Sequence, residues 1–159
     1  MKVLLLNPPF KTKYGRYSRT SRSPAITKGG TLYYPFWLAY AAGVLEKAGH
    51  EVKLIDSCAY RYDRKKTYEI AKEFRPELIV LDTSTPSIYS DVEVGADLKE
   101  IFPKSFVVLV GTHPSALPEE TLKLNKKIDA VARGEYDYTV QELEDTLEQK
   151  EDIKKVKGI

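Results

Sequence analysis

Short apolar runs alternate along the chain with segments whose apolar residues recur at helical spacing. The runs at 2–7, 51–55, 78–82, 106–111 and 129–132 are rich in Val, Leu and Ile and predict five β-strands. Between them, spaced apolar residues predict helices over 35–48, 63–74, 91–102 and 118–124. A capping box of Thr139 and Glu142 predicts a last helix that continues to about residue 147.

This alternation of strands and helices predicts the fold class. Strands that are joined by helical crossovers lie parallel, and such connections are right-handed. We therefore expect an α/β fold with a doubly wound, five-stranded parallel sheet of the flavodoxin-like or Rossmann-like type, in the strand order 2-1-3-4-5. This order places the carboxyl ends of the first, third, fourth and fifth strands along one rim, where such folds bind ligands.

Length and composition indicate one globular domain without a membrane span. The chain has 159 residues, of which 42% are hydrophobic and 30% charged, a balance that is typical of soluble globular proteins. No apolar run approaches the roughly 18 residues that a membrane span needs. Cys58 is the only cysteine, which excludes an internal disulfide and a metal cluster built from several cysteines of this chain. We expect a cytoplasmic protein.

The net charge of +2 hides a basic amino-terminal segment. Residues 1–45 contain seven Lys or Arg and no acid, and six of these cations lie between residues 10 and 29. Polar residues and glycine separate them, so we expect a long polar loop rather than a helix face. The loop, with Arg16, Arg19 and Arg22, is either simply solvated or a surface for anions or another domain. Because the domain is not strongly basic and lacks a stacking-aromatic motif, nucleic acid is not an expected partner.

Three predicted strands end in polar loops on the expected rim. The first strand continues into Asn7-Pro8-Pro9, the third into Thr83 to Ser87, and the fourth into Gly111-Thr112-His113. Several ligand classes do not match these loops. The first loop lacks both the acid cluster of a magnesium site and the compact N–H-rich turn of a flavin site, and no glycine-rich nucleotide motif or Gly-x-Ser-x-Gly turn occurs. The remaining hydroxyls, glycine and histidine suit a large ligand with many amide groups.

Six segments of the chain occur together in a recognisable order. They are Leu5 to Phe10, Arg22 to Pro35, Leu45 to Val52, Thr83 to Ser87, Gly111 to Glu120, and Arg133 to Thr139. With these segments the sequence resembles the cobalamin-binding domain at the N-terminus of cobalamin-dependent radical SAM enzymes, mostly methyltransferases. The resemblance covers nearly the whole chain. Its most specific parts are Gly-Thr-His-Pro at 111–114 and Arg-Gly-Glu at 133–135.

The resemblance implies that the chain binds cobalamin (vitamin B12) at the strand ends. The third strand's end would line the pocket of the nucleotide tail, the fourth would meet the tail or the corrin edge, and the fifth would close the far wall. Gly111 would let the backbone approach the ligand closely. The implied cofactor-binding residues are Asn7, Pro8, Pro9, Thr31, Leu32, Tyr33, Thr83, Ser84, Thr85, Ser87, Gly111, Thr112, His113, Gly134, Glu135 and Tyr136.

Two departures from the family's pattern change the expected chemistry. No Asp-x-His-x-x-Gly follows the first strand, so cobalamin would bind base-off, with no histidine below the cobalt, unless His113 or a water takes that position. Tyr136 stands where the family commonly has glycine, and its bulk narrows the expected tail pocket.

The resemblance also implies a second domain outside this chain. Radical SAM chemistry needs S-adenosylmethionine and a [4Fe–4S] cluster held by three cysteines, whereas the chain has one cysteine. We expect residues 1–148 to be the cobalamin-binding domain and residues 149–159 a linker toward a radical SAM domain of the same polypeptide. The isolated chain would then carry the cofactor and have neither catalytic residues nor metal ligands.

Two other interpretations stay open on the sequence alone. The first is an interaction module that has this fold but binds no cobalamin. The second is a small hydrolase or transferase that uses His113 with Ser115 or Ser87. The first predicts that cobalamin is not retained, and the second predicts an activity that depends on His113.

Overall fold

The strands of the chain form a parallel sheet and a separate hairpin. The structure, a computed structural model, describes residues 1–20 and 24–159. In chain order the strands are β1 (Lys2–Asn7), β2 (Arg16–Ser18), β3 (Ala25–Thr27), β4 (Glu51–Asp56), β5 (Leu78–Thr83), β6 (Phe106–Gly111) and β7 (Ala130–Val131). The parallel sheet has the order β4-β1-β5-β6-β7, and β2 pairs antiparallel with β3.

Helices connect the strands of the parallel sheet. They are α1 (Phe36–Lys47), α2 (Ser57–Tyr60), α3 (Arg64–Phe74), α4 (Ile88–Ile101), α5 (Thr112–Ala116), α6 (Pro118–Leu124) and α7 (Asp137–Glu148), with 3-10 turns at Thr85–Ser87 and Ile153–Lys155. Within the described residues, no helix has the length and apolar character needed to cross a membrane.

The sheet confirms the predicted fold class and strand order. Counting only the parallel strands, β4-β1-β5-β6-β7 is the expected order 2-1-3-4-5. Alternate residues of the strands fill two cores: Leu5 and Val80 pack toward α1 and α7, and Leu6 and Leu81 pack toward α3 and α4. Because both faces of the sheet are covered, the strand sequences are continuously apolar.

The carboxyl-terminal residues pack against the first of these cores. Val156 is 4% exposed and belongs to that core, and the N–H of Arg133 donates to the carbonyl oxygen of Gly158 over 2.9 Å. The capping-box prediction is wrong, because α7 begins at Asp137 and the hydroxyl of Thr139 donates instead to the carbonyl oxygen of Lys157 over 3.2 Å. The linker assignment of 149–159 stays a prediction.

The predicted polar loop of 10–29 contains the β2–β3 hairpin, so the prediction of a loop throughout is wrong. Tyr17, Ser18 and Arg19 are each less than 5% exposed. Arg19 is therefore an interior residue and not the surface cation that the sequence predicts, whereas Arg22 lies outside the described residues.

Short elements directly after strands account for the other differences. The sequence predicts neither α2 after β4 nor α5 after β6, and it starts α4 at residue 91 where the structure starts it at Ile88. Helices of four or five residues contain too few turns to show a helical period.

Candidate functional site

A cavity opens at the carboxyl ends of β5 and β6, beside the loop between β7 and α7; we call it the rim cavity. Its volume is about 820 Å³, within the range of about 300–1,000 Å³ typical of small-molecule sites. Parallel α/β sheets bind their ligands at this position. The lining residues are Arg19, Thr20, Pro24, Trp37, Asp82, Thr83, Gly111, Thr112, Ser115, Ala116, Gly134, Glu135, Tyr136 and Asp137.

Gly111 brings the ends of β5 and β6 together at the rim cavity. Its φ is +113°, in the region that glycine adopts readily and other residues do not. A Cβ atom there would lie 2.3 Å from the carbonyl oxygen of Thr83 and 3.0 Å from Oδ1 of Asp82. The neighbouring strand therefore requires glycine at this position. The expectation is that glycine lets the backbone approach the ligand closely. The geometry instead requires glycine because a side chain would collide with β5.

Three buried polar atoms of cavity-lining residues have no hydrogen-bond partner among the described residues. They are Nε of Arg19, Oγ1 of Thr20 and the phenol oxygen of Tyr136. Unsatisfied buried groups cost about 1–3 kcal/mol each, so native structures usually pair them. Burial raises the pKa of Tyr136, so its phenol is protonated and can donate. The wall of the rim cavity thus contains three polar groups whose hydrogen-bonding capacity is unused within the described residues.

Arg19 connects the rim cavity to a buried polar network. Its Nη2 donates to Oδ1 of Asp91 over 2.6 Å, and the two side chains are 1% and 0% exposed. Its Nη1 donates to the amide oxygen of Asn7 and, over 3.1 Å, to the carbonyl oxygen of Pro8. Nδ2 of Asn7 donates in turn to Oδ1 of Asp56 over 2.8 Å. One guanidinium therefore joins the ends of β1 and β4 to α4.

The hydroxyls that follow β5 belong to the same network. The phenol of Tyr17 lies 2.6 Å from Oγ of Ser84, which lies 2.7 Å from Oγ of Ser87. Ser87 donates to Oδ2 of Asp91 over 2.5 Å. These groups are bonded within the protein, and of the hydroxyls predicted at this strand end only that of Thr83 belongs to a cavity-lining residue.

Asp82 is an acidic group in the wall of the rim cavity, and its side chain is buried. Burial raises the pKa of Asp82 to about 7; nearby Asp91 adds to the shift, whereas Arg19 and the N–H of Thr83 oppose it. Near neutral pH the carboxyl is therefore partly protonated. It can then donate a hydrogen bond as well as accept one.

We expect Asp82→Asn to stabilise the domain at alkaline pH. Because the pKa of Asp82 rises from 3.8 to about 7 on folding, its contribution to stability is greatest at low pH, falls as pH rises toward 7, and is constant above. The unfolding free energy of the variant relative to the unmodified chain should increase by about 3 kcal/mol between pH 5 and pH 8. Urea denaturation at several pH values measures this difference; a difference that does not change with pH would contradict the assignment.

The structure brings six of the predicted cofactor-binding residues to the rim cavity and places the others elsewhere. On the cavity lie Thr83, Gly111, Thr112, Gly134, Glu135 and Tyr136. Four predicted residues are buried beside the cavity: Asn7, Pro8, Ser84 and Ser87. Pro9 lines a different groove. The remaining five do not line the cavity: Thr31, Leu32, Tyr33, Thr85 and His113. The role of all sixteen toward cobalamin stays a prediction.

His113 does not meet the serines that a hydrolase would need. Its Nδ1 lies 3.3 Å from Oγ1 of Thr85. Ser115 donates to the carbonyl oxygen of Gly111 over 2.7 Å and accepts from the N–H of Gly134 over 2.9 Å, and Ser87 is bonded to the network described above. Within residues 1–20 and 24–159 no serine is hydrogen-bonded to His113, so the geometry does not favour nucleophilic catalysis here.

A separate polar cluster lies at the amino ends of the strands, opposite the rim cavity. His50, Glu144 and Glu148 have ligand atoms within 4.8 Å of one another, a spacing that could hold a metal ion. The amino group of Met1 pairs there with Glu144 over 2.9 Å and with Glu148 over 2.7 Å. The cluster thus has a cation of its own and takes no part in the rim cavity.

Comparison with protein-family models gives the family of this fold. The B12 binding domain model matches residues 22–144, which include the carboxyl ends of β5 and β6 and the loop between β7 and α7. The chain belongs to the B12-binding domain family. The resemblance found from the sequence segments is therefore confirmed as far as membership of the B12-binding domain family is concerned.

Curated relatives of this B12-binding domain are longer proteins. The chain is 32% identical over its full length to an uncharacterized methyltransferase of Pyrococcus horikoshii and covers 32% of that protein. It is 32% identical over 102 residues, 64% of the chain, to an anaerobic magnesium-protoporphyrin IX monomethyl ester cyclase of Cereibacter sphaeroides, of which it covers 17%. A cyclase of the same name from Synechocystis is 27% identical over the full length of the chain, which covers 30% of it. The chain thus spans about a third or less of each.

Solved structures with a similar fold include response regulators. The RcsB response regulator of Salmonella typhimurium has a TM-score of 0.60 and 13% identity, with 98% of this chain and 66% of that chain covered. A two-component response regulator of the LuxR family from Aurantimonas has a TM-score of 0.55 and 11% identity, with 98% and 93% covered. At such identities the likeness shows the α/β fold alone.

Sequence reasoning missed part of the wall of the cavity in this B12-binding domain. Apart from Ser115, which the sequence suggests only for a hydrolase, the residues not expected there are Arg19, Thr20, Pro24, Trp37, Asp82, Ala116 and Asp137. Asp82 carries a usable signal, because an acid at the end of an apolar strand faces the rim where ligands bind. Arg19 and Trp37 carry none, since tertiary packing of distant segments brings them to the cavity.

Proposed function

We propose that this B12-binding domain binds cobalamin in the rim cavity and carries it for a radical SAM methyltransferase. The observation that supports this most is a cavity of about 820 Å³ at the carboxyl ends of β5 and β6 in a chain of this family. A large ligand with many amide groups suits a wall of hydroxyls, glycine and buried polar atoms.

The residues around the cavity fit the nucleotide tail of cobalamin. Tyr136 and Thr20 offer hydroxyls without partners among the described residues, and Arg19 offers an N–H. A Cβ at Gly134 would meet no atom within 4 Å, so the cavity is open beside this residue. Tyr136 is 4% exposed and forms part of the wall. Its bulky ring therefore does not fill the cavity.

The positions of the histidines support binding in which no histidine of this chain ligates the cobalt. Binding is base-off in this proposal because the nucleotide tail, with its base, enters the rim cavity. His113 is held beside Thr85 and does not line the cavity. Nε2 of His50 lies 2.6 Å from Oε2 of Glu144 in the cluster at the opposite end of the sheet. Bound cobalamin supplies a cobalt centre that can carry a methyl group. In this proposal the chain's residues bind its tail and orient the corrin.

The proposal places the radical SAM domain, its [4Fe–4S] cluster and S-adenosylmethionine in another part of a longer polypeptide. The chain covers only 32% of the methyltransferase relative, and residues 149–159 would lead to the further domain. Tyr33, Tyr34, Trp37 and Tyr40 are 47–64% exposed, and Trp37 also lines the cavity. Exposed aromatic groups beside a ligand site suit contact with another domain or with the corrin. Cys58, the single cysteine, fits a cytoplasmic enzyme.

We expect Ala116→Trp to prevent retention of cobalamin. Ala116 is exposed at the end of α5 and lines the rim cavity, so a larger side chain there fills ligand space without entering either core. The chain, mixed with hydroxocobalamin and passed through gel filtration, should retain about one equivalent with a base-off absorption spectrum. The variant should bind it about tenfold more weakly or worse.

Ala48→Trp is the matched control. Ala48 is exposed at the C-cap of α1, at the end of the sheet opposite the cavity. This variant should retain as much hydroxocobalamin as the unmodified chain. If the unmodified chain retained none, the alternative of an interaction module without cobalamin would replace this proposal; if Ala116→Trp retained it fully, the binding site would lie elsewhere.

A further inference from the structure

A second concave region lies beside the carboxyl ends of β1 and β4, apart from the rim cavity; we call it the basic groove. Its volume is about 850 Å³. One wall is the segment after β1, and the other is the turn between α2 and α3, with Phe10, Tyr17 and Tyr62 among the lining residues. Among the described residues, the groove and the rim cavity share no lining residue, so the proposed site of the cobalamin tail is separate from this groove.

Cations dominate the groove. Its lining includes Lys11, Lys13, Arg16, Arg61, Arg64 and Lys65, and the one acid among the described lining residues is Asp63. The carboxylate of Asp63 is engaged, because it accepts the N–H of Lys66 over 2.8 Å as the N-cap of α3.

Several of these cations have no acidic partner. Arg64 pairs with Glu93 over 2.7 Å. In the part of the chain that the structure describes, by contrast, Lys11, Arg61 and Lys65 form no ion pair. Like charges gathered in one concavity repel one another, and a bound anion would relieve this repulsion.

The first turn of α3 adds to the positive potential. This 11-residue helix begins with Arg64, Lys65 and Lys66 and has no acid in its first turn. The amino end of a helix carries a partial positive charge that favours acidic residues there. Asp63 at the N-cap, Glu93 beside Arg64 and Glu69 beside Lys66 balance part of this charge. Lys65 forms no ion pair in the described part of the chain, so it stays available to an anion together with the cations of the opposite wall.

We propose that the basic groove binds a small anion that carries two or more phosphate groups. An anion with a single carboxylate would not balance the charge of four or more cations in one concavity. Phosphate groups carry more negative charge, and their oxygens accept hydrogen bonds from both guanidinium and ammonium groups. The groove is concave and has aromatic residues on both walls, which suits a small molecule better than an extended polyanion.

The test compares the affinity of inorganic pyrophosphate and of ADP for the chain and for Arg61→Gly. Arg61 has a φ of +55°, so glycine relieves backbone strain and the variant should fold at least as well. Loss of one charge-assisted contact should weaken binding of both probes about tenfold. Arg75→Gly is the matched control, because Arg75 has a φ of +57° and does not line the groove; it should bind both probes as the unmodified chain does.

Isothermal titration calorimetry at low and moderate salt measures these affinities. Tighter binding of ADP than of pyrophosphate would support the proposal and indicate that the adenosine group contacts aromatic residues of the groove. Equal affinities of the two probes would support recognition of the phosphates alone. Three results would overturn the proposal. They are absence of binding to both probes, equal affinities of Arg61→Gly and Arg75→Gly, and binding of an oligonucleotide without binding of pyrophosphate. Retention of hydroxocobalamin by Arg61→Gly should be unchanged, so failure here is distinct from failure of the cobalamin proposal.

Discussion

Gly111→Ala should destabilise the domain by about 4 kcal/mol or more, a loss large enough to unfold a marginally stable domain. The new Cβ would lie 2.3 Å from the carbonyl oxygen of Thr83, and the residue would have to keep a φ of +113°. Because Gly111 and Thr83 are paired neighbours in the sheet, the clash can be relieved only by separating β5 from β6. Urea denaturation followed by circular dichroism measures the loss.

Gly134→Ala is the control for this prediction. Gly134 also has a positive φ, +71°, but a Cβ there would meet no atom within 4 Å. The substitution should therefore cost only the backbone strain, about 1 kcal/mol. Equal losses for the two variants would show that strain, and not contact with β5, makes glycine necessary at position 111.

Arg19→Met should cost about 3–5 kcal/mol of stability. Methionine keeps much of the length of the side chain but leaves the carboxylate of Asp91, which is 0% exposed, without its cation. It also removes the donor to Asn7 and to the carbonyl oxygen of Pro8. The measurement is the urea midpoint at constant pH.

A double substitution separates the ion pair from the packing of Arg19. In Arg19→Met with Asp91→Asn the carboxylate of Asp91 is no longer left without its cation, so the pair of changes should cost less than Arg19→Met alone. Arg16→Met is the control, because Arg16 is only partly buried and donates to the carbonyl oxygen of Ala59 over 3.2 Å. If the double variant were as unstable as Arg19→Met, packing and not charge would explain the loss.

The sheet could be predicted from the sequence because its information is local. Each parallel strand is a continuous apolar run, and the lengths of the helical crossovers leave few ways to arrange the strands. The same local information predicts that the polar loops after the third and fourth strands lie on one rim, and Thr83, Gly111 and Thr112 do line the cavity there.

The polar interior could not be predicted because its partners are distant in sequence. Arg19 lies among polar residues typical of a loop, and its partner Asp91 follows 72 residues later. The hydroxyls of Ser84 and Ser87 have the composition of a ligand-binding loop, yet they are bonded to Tyr17 and Asp91. Local patterns do not tell whether a hydroxyl at a strand end faces a ligand or the protein interior.

Amide chemical-shift mapping of the ¹⁵N-labelled chain with hydroxocobalamin tests the binding site most directly. We expect the largest changes at Thr83, Gly111, Thr112 and Gly134, which line the rim cavity, and little change at Arg61 in the basic groove. No change at saturating hydroxocobalamin, or changes confined to the basic groove, would contradict binding of cobalamin at the carboxyl ends of β5 and β6.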